Sequence, residues 1–448
     1  MSSSVVADVL LAIAALTGLW ALDCLRRIAA VGAAYKAKVL ASAYFVSRLE
    51  LDPETAPEVS AEAYSVMRLF KAKVDRENKR VTVTAFGLQP RSARWRPGLG
   101  AALEARPLPD APPPSEPAKP GDLPVRSVDA LLPVVAAAFG EPDPKRLRRT
   151  RAVVVLRDGA VVAEGYAPGV SMTTPLNGWS MTKSVMSALI GTLVADGRLS
   201  LSDKALLPQW RTPGDPRADI SLEDLLRMRS GLRFAEVYSD PLSDVTRMLF
   251  AEPDAAGFAA SRPLESPPGA AWKYASGTSN ILSLIARKAV GEEAYPGWPR
   301  RVLFDPAGMP SAVMETDASG TFVASSFLYA TARDWARFGK LFLDDGMAGG
   351  RRVLPEGWAR FCATPTPQSP DGRYGAHWWL KLSADLGGET PAAARIPKDA
   401  FHALGHEAQC VSVIPSRGLV VVRLGLSIDV SAWDHAAFLA GVLDALPS

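Results

Sequence analysis

The chain has 448 residues, of which 48% are hydrophobic and 22% charged, with a formal net charge of +3. Such a length can bury a large core, and so small a charge over so long a chain leaves no basic stripe for nucleic acid, which is excluded as a partner. The three cysteines, Cys24, Cys362 and Cys410, are odd in number and far apart, and His406-Glu407 is followed by Ala408-Gln409-Cys410 instead of a zinc-peptidase motif, so neither a disulfide framework nor a metal or other cofactor is expected.

Residues 9–22 form an uncharged, almost wholly apolar run between Asp8 and Asp23, followed by Arg26 and Arg27. Extended to 5–25 it reaches the ~20 residues of a spanning helix, so residues 1–45 are expected to be an uncleaved membrane anchor, the alternative being a buried or surface-lying amphiphilic helix. No lysine or arginine precedes the run, no A-x-A site follows it, and Asp23 before Cys24 argues against a lipidated cysteine. Residues 46–106 read as a small preface, with helical or mixed pieces at 35–49 and 61–73 and a strand-like alternation at 80–86. A proline-rich linker spans 107–124, including Pro112-Pro113-Pro114, and the main body is residues 125–448.

In that body, 152–156 and 160–166 flank the turn dipeptide Asp158-Gly159 and predict a hairpin. Apolar positions Met186, Leu189, Ile190, Leu193 and Val194 predict a buried helix that begins at Ser180 and stops at Asp196-Gly197. The middle, 201–340, is mainly helical. A second hairpin at 411–426 and a last helix at 433–446 follow. Strand pairs at both ends bracketing helices predict an α+β fold: an antiparallel sheet flanked by helices, with an inserted mainly α subdomain.

Ser180-Met181-Thr182-Lys183 places a hydroxyl and an amine one turn apart on one helix face, the arrangement of a nucleophile and its base once burial lowers the lysine pKa. Taken alone, S-x-x-K is expected about once by chance in a chain of this length. Tyr274 in Tyr274-Ala275-Ser276-Gly277 stands just before a predicted helix and can relay a proton to a leaving group, unless it only anchors its loop. Gly405 in Gly405-His406-Glu407-Ala408-Gln409 permits close substrate approach, and the His406 backbone N–H is a candidate second oxyanion donor beside that of Ser180.

The order of these three strings resembles the penicillin-recognising serine hydrolases, and within them the 6-aminohexanoate-dimer hydrolase and esterase branch near the class C β-lactamases. The resemblance covers residues 125–448. It implies a β-lactamase/transpeptidase-like α/β sandwich and a small-molecule amide or ester substrate, cleaved through an acyl-enzyme on Ser180 with Lys183 and Tyr274 managing its proton. It also implies an inner-membrane protein with its catalytic domain extracytoplasmic, although Arg26 and Arg27 by charge bias favour the cytoplasm for the segment that follows the anchor. The alternatives are a β-lactamase or D,D-peptidase-like enzyme, or a non-catalytic membrane-tethered binding protein of the same fold.

Two departures weigh against β-lactam turnover. Ser276 stands where many lactamases have asparagine, and Ala403-Leu404-Gly405 stands where they have Lys-Thr-Gly, so a cation for the substrate carboxylate is missing unless His402 or His406 supplies it. Tyr238 matches a second substrate-facing tyrosine of the aminohexanoate branch, and Ser276 joins it as a candidate binding residue. Trp378 and Trp379 form either an aromatic wall or core, and His435 is read as a helix-capping or surface residue more readily than as part of the cleft.

Overall fold

The computed structural model describes residues 3–108 and 122–446, with 3–9 traced by their backbone. Most of the proline-rich stretch expected at 107–124 lies outside the described residues.

The chain starts with one long helix, α1 (Ser3–Phe45), whose two halves have different environments. Leu10, Leu16, Leu22 and Leu25 are more than 60% exposed, whereas Ala33, Ala37, Leu40 and Ala41 are wholly buried. The second half packs on an antiparallel meander of β1 (Phe70–Asp75), β2 (Arg80–Ala85), β3 (Leu88–Arg96) and β4 (Gly100–Leu103). Alanines at helical spacing let the helix backbone lie close to the strands, and Val81, Val83 and Ala93 complete the core between them. The helix therefore runs through the expected division between anchor and preface, and Ala33, Ala37, Leu40, Ala41 and Tyr44 belong to the same core as the strands, while Val31 and Ala34 join the core of the body. The short α2 (Pro57–Ser60) and a 3-10 turn at Glu62–Leu69 connect helix and meander. Among the described residues no helix is long and apolar enough to cross a membrane.

In the body, α3 (Leu132–Ala137) precedes the hairpin β5 (Thr150–Arg157) and β6 (Ala160–Tyr166), and β7 (Leu176–Asn177) leads into α4 (Met181–Ala195). The inserted region carries α5 (Leu222–Leu226), α6 (Asp244–Phe250), α7 (Ala255–Ala260) and α8 (Ser276–Val290), then β8 (Val313–Met314) and β9 (Leu328–Ala330). After α9 (Ala332–Leu343), a small ribbon of β10 (Met347–Ala348) and β11 (Arg351–Arg352) and α10 (Trp358–Cys362), the chain returns as β12 (Phe401–Gly405), β13 (Gln409–Ile414), β14 (Leu419–Gly425) and α11 (His435–Ala445).

The main sheet has the order β12-β13-β14-β5-β6, every pair antiparallel, and β14 joins the C-terminal strands to β5 through pairs such as Val421 with Val155. Its strands are apolar on both sides because both sides are covered. Ala152, Val154 and Leu156 face the large core that includes α4 and α9, while Val153 and Val155 face the one built with α11 and residues of α3. The expected α+β architecture is the observed one.

The N-terminal unit is tied to the body by buried polar contacts. Glu315 has no solvent exposure and accepts hydrogen bonds from Lys38 Nζ, Ser42 Oγ at 2.9 Å and the Ala101 N–H at 2.6 Å. Lys38 also lies 4.0 Å from the centroid of the Phe327 ring.

Candidate active site

The turn before α4 aims Ser180. Gly178 donates its N–H to Leu328 O at 2.9 Å, and a β-carbon on it would collide with the Trp335 ring. Trp179 has φ +47°, a left-handed conformation that costs a bulky residue on the order of 1–2 kcal/mol. One local and one tertiary bond hold it there: its N–H donates to Asn177 Oδ1 at 3.0 Å and its indole N–H to Glu407 Oε2 at 2.9 Å. Ser180 then enters the helix as its N-cap, with φ −64° and ψ −10°, and its hydroxyl caps no backbone group.

Lys183 sits one turn on, 1% exposed, and donates from Nζ to Ser180 Oγ and to the Ser325 carbonyl, each at 2.9 Å. Burial lowers its pKa to about 8, while the more distant Glu236 carboxylate pushes the other way. A substantial fraction of Lys183 is then neutral near physiological pH and can accept a proton.

Tyr274 reaches the same place from the turn before α8, and Lys183 Nζ stands 4.9 Å from its ring centroid. Burial and the negative charge of Glu236 raise the phenol pKa well above its ordinary value, outweighing a hydrogen bond with Ser180 that acts in the opposite direction. The phenol holds its proton and can donate it. Tyr374 meets it edge-on at 5.9 Å and Trp379 lies tilted at 5.3 Å, with Trp272 behind both. Of the tryptophan pair, Trp379 forms this aromatic wall and Trp378 is core, stacked on Phe338 at 5.8 Å.

Gly405 closes the corner from the end of β12. A β-carbon there would strike the Gly178 carbonyl oxygen, so only glycine allows this strand end to pack directly on the turn before Ser180. The His406 ring that follows stacks on Tyr238 at 5.4 Å and 11°, meets Trp179 edge-on at 5.5 Å, and bonds through Nε2 to the Tyr64 hydroxyl at 2.8 Å. Tyr64 also donates to Glu407 Oε1 at 3.0 Å, so the N-terminal unit reaches the rim of the cleft.

Ser180, Lys183, Tyr274, Gly405, His406 and Tyr238 thus gather at one corner. Ser276 is next to it but fully buried, and its hydroxyl and N–H both donate to the Glu236 carboxylate, the N–H at 2.8 Å. No motif in the sequence marks Glu236 as part of the site. Its carboxylate sits at the N-terminal, electropositive end of α8, accepts from the Tyr238 hydroxyl at 3.3 Å, and acts on both Lys183 and Tyr274. The only local signal for it was its place two residues before Tyr238.

The remaining histidines lie elsewhere. His402 and His435 share the Ser412 hydroxyl, each at 2.8 Å, and both are buried on the far side of β12 and β13 from Ser180. Burial lowers the His402 pKa to about 3, so it supplies no cation to the cleft. His435 is neither a cap nor a surface group: Asp434 caps α11, and the His435 ring is buried with Trp433 Nε1 donating to it at 3.2 Å. His377 bonds Ser279 Oγ and the Leu226 carbonyl, and is held neutral by burial, with a pKa near 3. Among the described residues no group of side chains is arranged to hold a metal ion.

Known proteins share the fold described above. The 6-aminohexanoate-dimer hydrolase of Paenarthrobacter ureafaciens is 27% identical over 288 residues, covering 59% of this chain and 71% of its own. A Bacillus anthracis structure provisionally described as a 6-aminohexanoate-dimer hydrolase superposes with a TM-score of 0.59 at 21% identity, covering 74% of this chain and 91% of that one. A D-stereospecific amidohydrolase from a Streptomyces species superposes with a TM-score of 0.51 at 17% identity, over 71% and 98% of the two chains, and at such identities the likeness is one of fold. The Beta-lactamase family model matches residues 136–425, well over half of the sequence, and this establishes that the chain belongs to the β-lactamase family and is a hydrolase.

Proposed function

We propose that the protein cleaves a small-molecule amide or carboxylic ester through an acyl-enzyme on Ser180. The observation that carries this reading is Lys183: buried, lowered to a pKa of about 8, and 2.9 Å from Ser180 Oγ. Neutral Lys183 takes the serine proton as Oγ bonds to the substrate carbonyl carbon. The N–H groups of Ser180 and His406 stabilise the resulting oxyanion. As the tetrahedral intermediate collapses, the bond to the leaving nitrogen or oxygen breaks, Tyr274 donates a proton to that atom, and Lys183 passes its own to the phenolate. Water then attacks the acyl-enzyme by the same relay in reverse, releasing the acid and restoring Ser180.

Esters and linear amides fit this site better than β-lactams. Ser276 is committed to Glu236, and His402 is neutral and remote, so neither replaces the groups that grip a β-lactam carboxylate. Tyr238 and the His406 ring form the substrate wall above the nucleophile. We further propose that the exposed apolar half of α1 associates with a membrane, with the catalytic domain extracytoplasmic; its support is the row of exposed large apolar residues from Leu10 to Leu25, an unusual surface for a soluble chain.

Labelling by a fluorophosphonate probe tests the mechanism. The wild type is expected to be labelled and Ser180→Ala not, with a p-nitrophenyl ester turned over faster than nitrocefin. Labelling that survives Ser180→Ala refutes the assignment of the nucleophile, and efficient nitrocefin turnover beside weak esterase activity replaces the amide or ester substrate with a β-lactam. Sedimentation of the full chain with vesicles tests the membrane reading.

A further inference from the structure

An apolar groove of about 480 Å³ lies between the N-terminal unit and the body, outside the catalytic groups themselves. Ile28, Val66, Met67, Phe70 and Phe250 line its length, and no Asp, Glu, Lys or Arg takes part in its wall. Its inner end is formed by Trp179, Tyr238 and His406. Trp179 directly precedes Ser180, and the stacked Tyr238–His406 pair is the wall proposed above for the substrate.

The outer end meets the exposed half of α1. Leu25, Ile28 and Gly32 recur at three- and four-residue spacing and so share one helix face, and Ile28, Val31 and Gly32 line the groove. Leu22 and Leu25 are 64% and 62% exposed, Ile28 is 37% exposed, and Val31 is buried. One apolar track therefore runs from the surface of α1 to the residue before the nucleophile. Leaving such a surface to water is unfavourable, and a charged or strongly hydrated ligand has no partner along it.

We propose that this groove binds the hydrocarbon chain on the acyl side of the substrate, so that the favoured substrates are medium- to long-chain acyl esters or amides. The assignment to the acyl side follows from the two flanks of Ser180. The leaving atom must lie toward Tyr274 and its wall of Trp272, Tyr374 and Trp379, whereas the groove opens on the Trp179 and His406 flank. The volume is in the range of small-molecule sites. Binding energy gathered by a remote chain can be used to position the carbonyl, so it raises kcat/KM. This inference rests on Ser180 being the nucleophile.

The test uses the full chain with p-nitrophenyl acetate, butyrate, octanoate and dodecanoate below their aggregation limits, together with binding of dansylaminoundecanoic acid to the Ser180→Ala protein. The dodecanoate-to-acetate ratio of kcat/KM is expected to reach about tenfold or more, given the free energy of burying each methylene. Val66→Asp, which puts a charge into the wall, and Ala63→Trp, which fills it from an exposed position, should each lower that ratio severalfold and weaken probe binding. Ser180-dependent acetate turnover with a flat chain-length series and no saturable probe binding overturns the groove assignment and leaves the hydrolase reading standing. Saturable probe binding lost in both variants, without turnover of any ester, supports the groove and refutes the reading of Ser180. Probe binding unchanged in both variants also overturns the groove.

Discussion

Lys183 and Lys38 are both almost wholly buried, yet they serve different ends. Lys38 touches a carboxylate, Glu315, whose charge opposes the effect of burial, and together they fasten the N-terminal unit to the body. Lys183 touches only a hydroxyl and a carbonyl, and the carboxylate that influences it, Glu236, is spent on the start of α8. Burial lowers the pKa of both lysines, Lys38 against the charge of the Glu315 it touches and Lys183 to about 8. The contrast teaches that the partner, more than the degree of burial, decides whether an interior lysine is a fastening or a base.

The comparison can be broken from either side. The largest effect is expected from Glu315→Ala, which leaves Lys38 buried without its counter-charge and should destabilise the protein by about 3–5 kcal/mol in denaturant unfolding. A loss under 1 kcal/mol would mean the pair fastens nothing. Next is Lys183→Ala, which should lower kcat/KM for an ester by about two orders of magnitude or more with an unfolding midpoint close to wild type. Near-normal turnover would remove Lys183 as the base. Tyr274→Phe should then cost a linear amide about tenfold more than it costs a p-nitrophenyl ester, because only the amide needs a proton on its leaving atom. Equal losses would reassign the donor.

The smallest effect sharpens the account of Lys183 itself. A lysine that must lose its proton to act gives a kcat/KM that rises with pH and levels off above about 8. Glu236 holds that pKa up, so Glu236→Gln should move the rising limb to lower pH by less than about one unit. A shift to higher pH would show that Glu236 acts through Ser276 and the start of α8 and not through its charge.

The proposed catalytic pair was legible because its geometry is local. Three residues on a helix put Ser180 and Lys183 on one face in whatever fold surrounds them, and the apolar period after them showed that the helix is buried. The same holds for the two hairpins and for the division of the body into sheet and inserted helices, since each follows from runs whose period and turn dipeptides are written in neighbouring residues. Sequence could not reveal Glu236: a carboxylate in a loop becomes part of the site only when α8 is brought to it from 40 residues away. Nor could it show Tyr64 at the rim, 342 residues from His406, or distinguish Trp379 in the wall from Trp378 in the core.

The sequence by itself determined the helix that carries Ser180 and Lys183, the order of the three site strings and the alternation of strands and helices, because short-range spacing and steric preference act within a few residues. Tertiary structure alone decided that α1 changes from an exposed apolar helix to the core of a small unit, that His402 and His435 are neutral core groups, and that the groove reaches Trp179. Burial and charge partnership are sums over everything packed around a side chain, and those neighbours come from segments that no local pattern brings together.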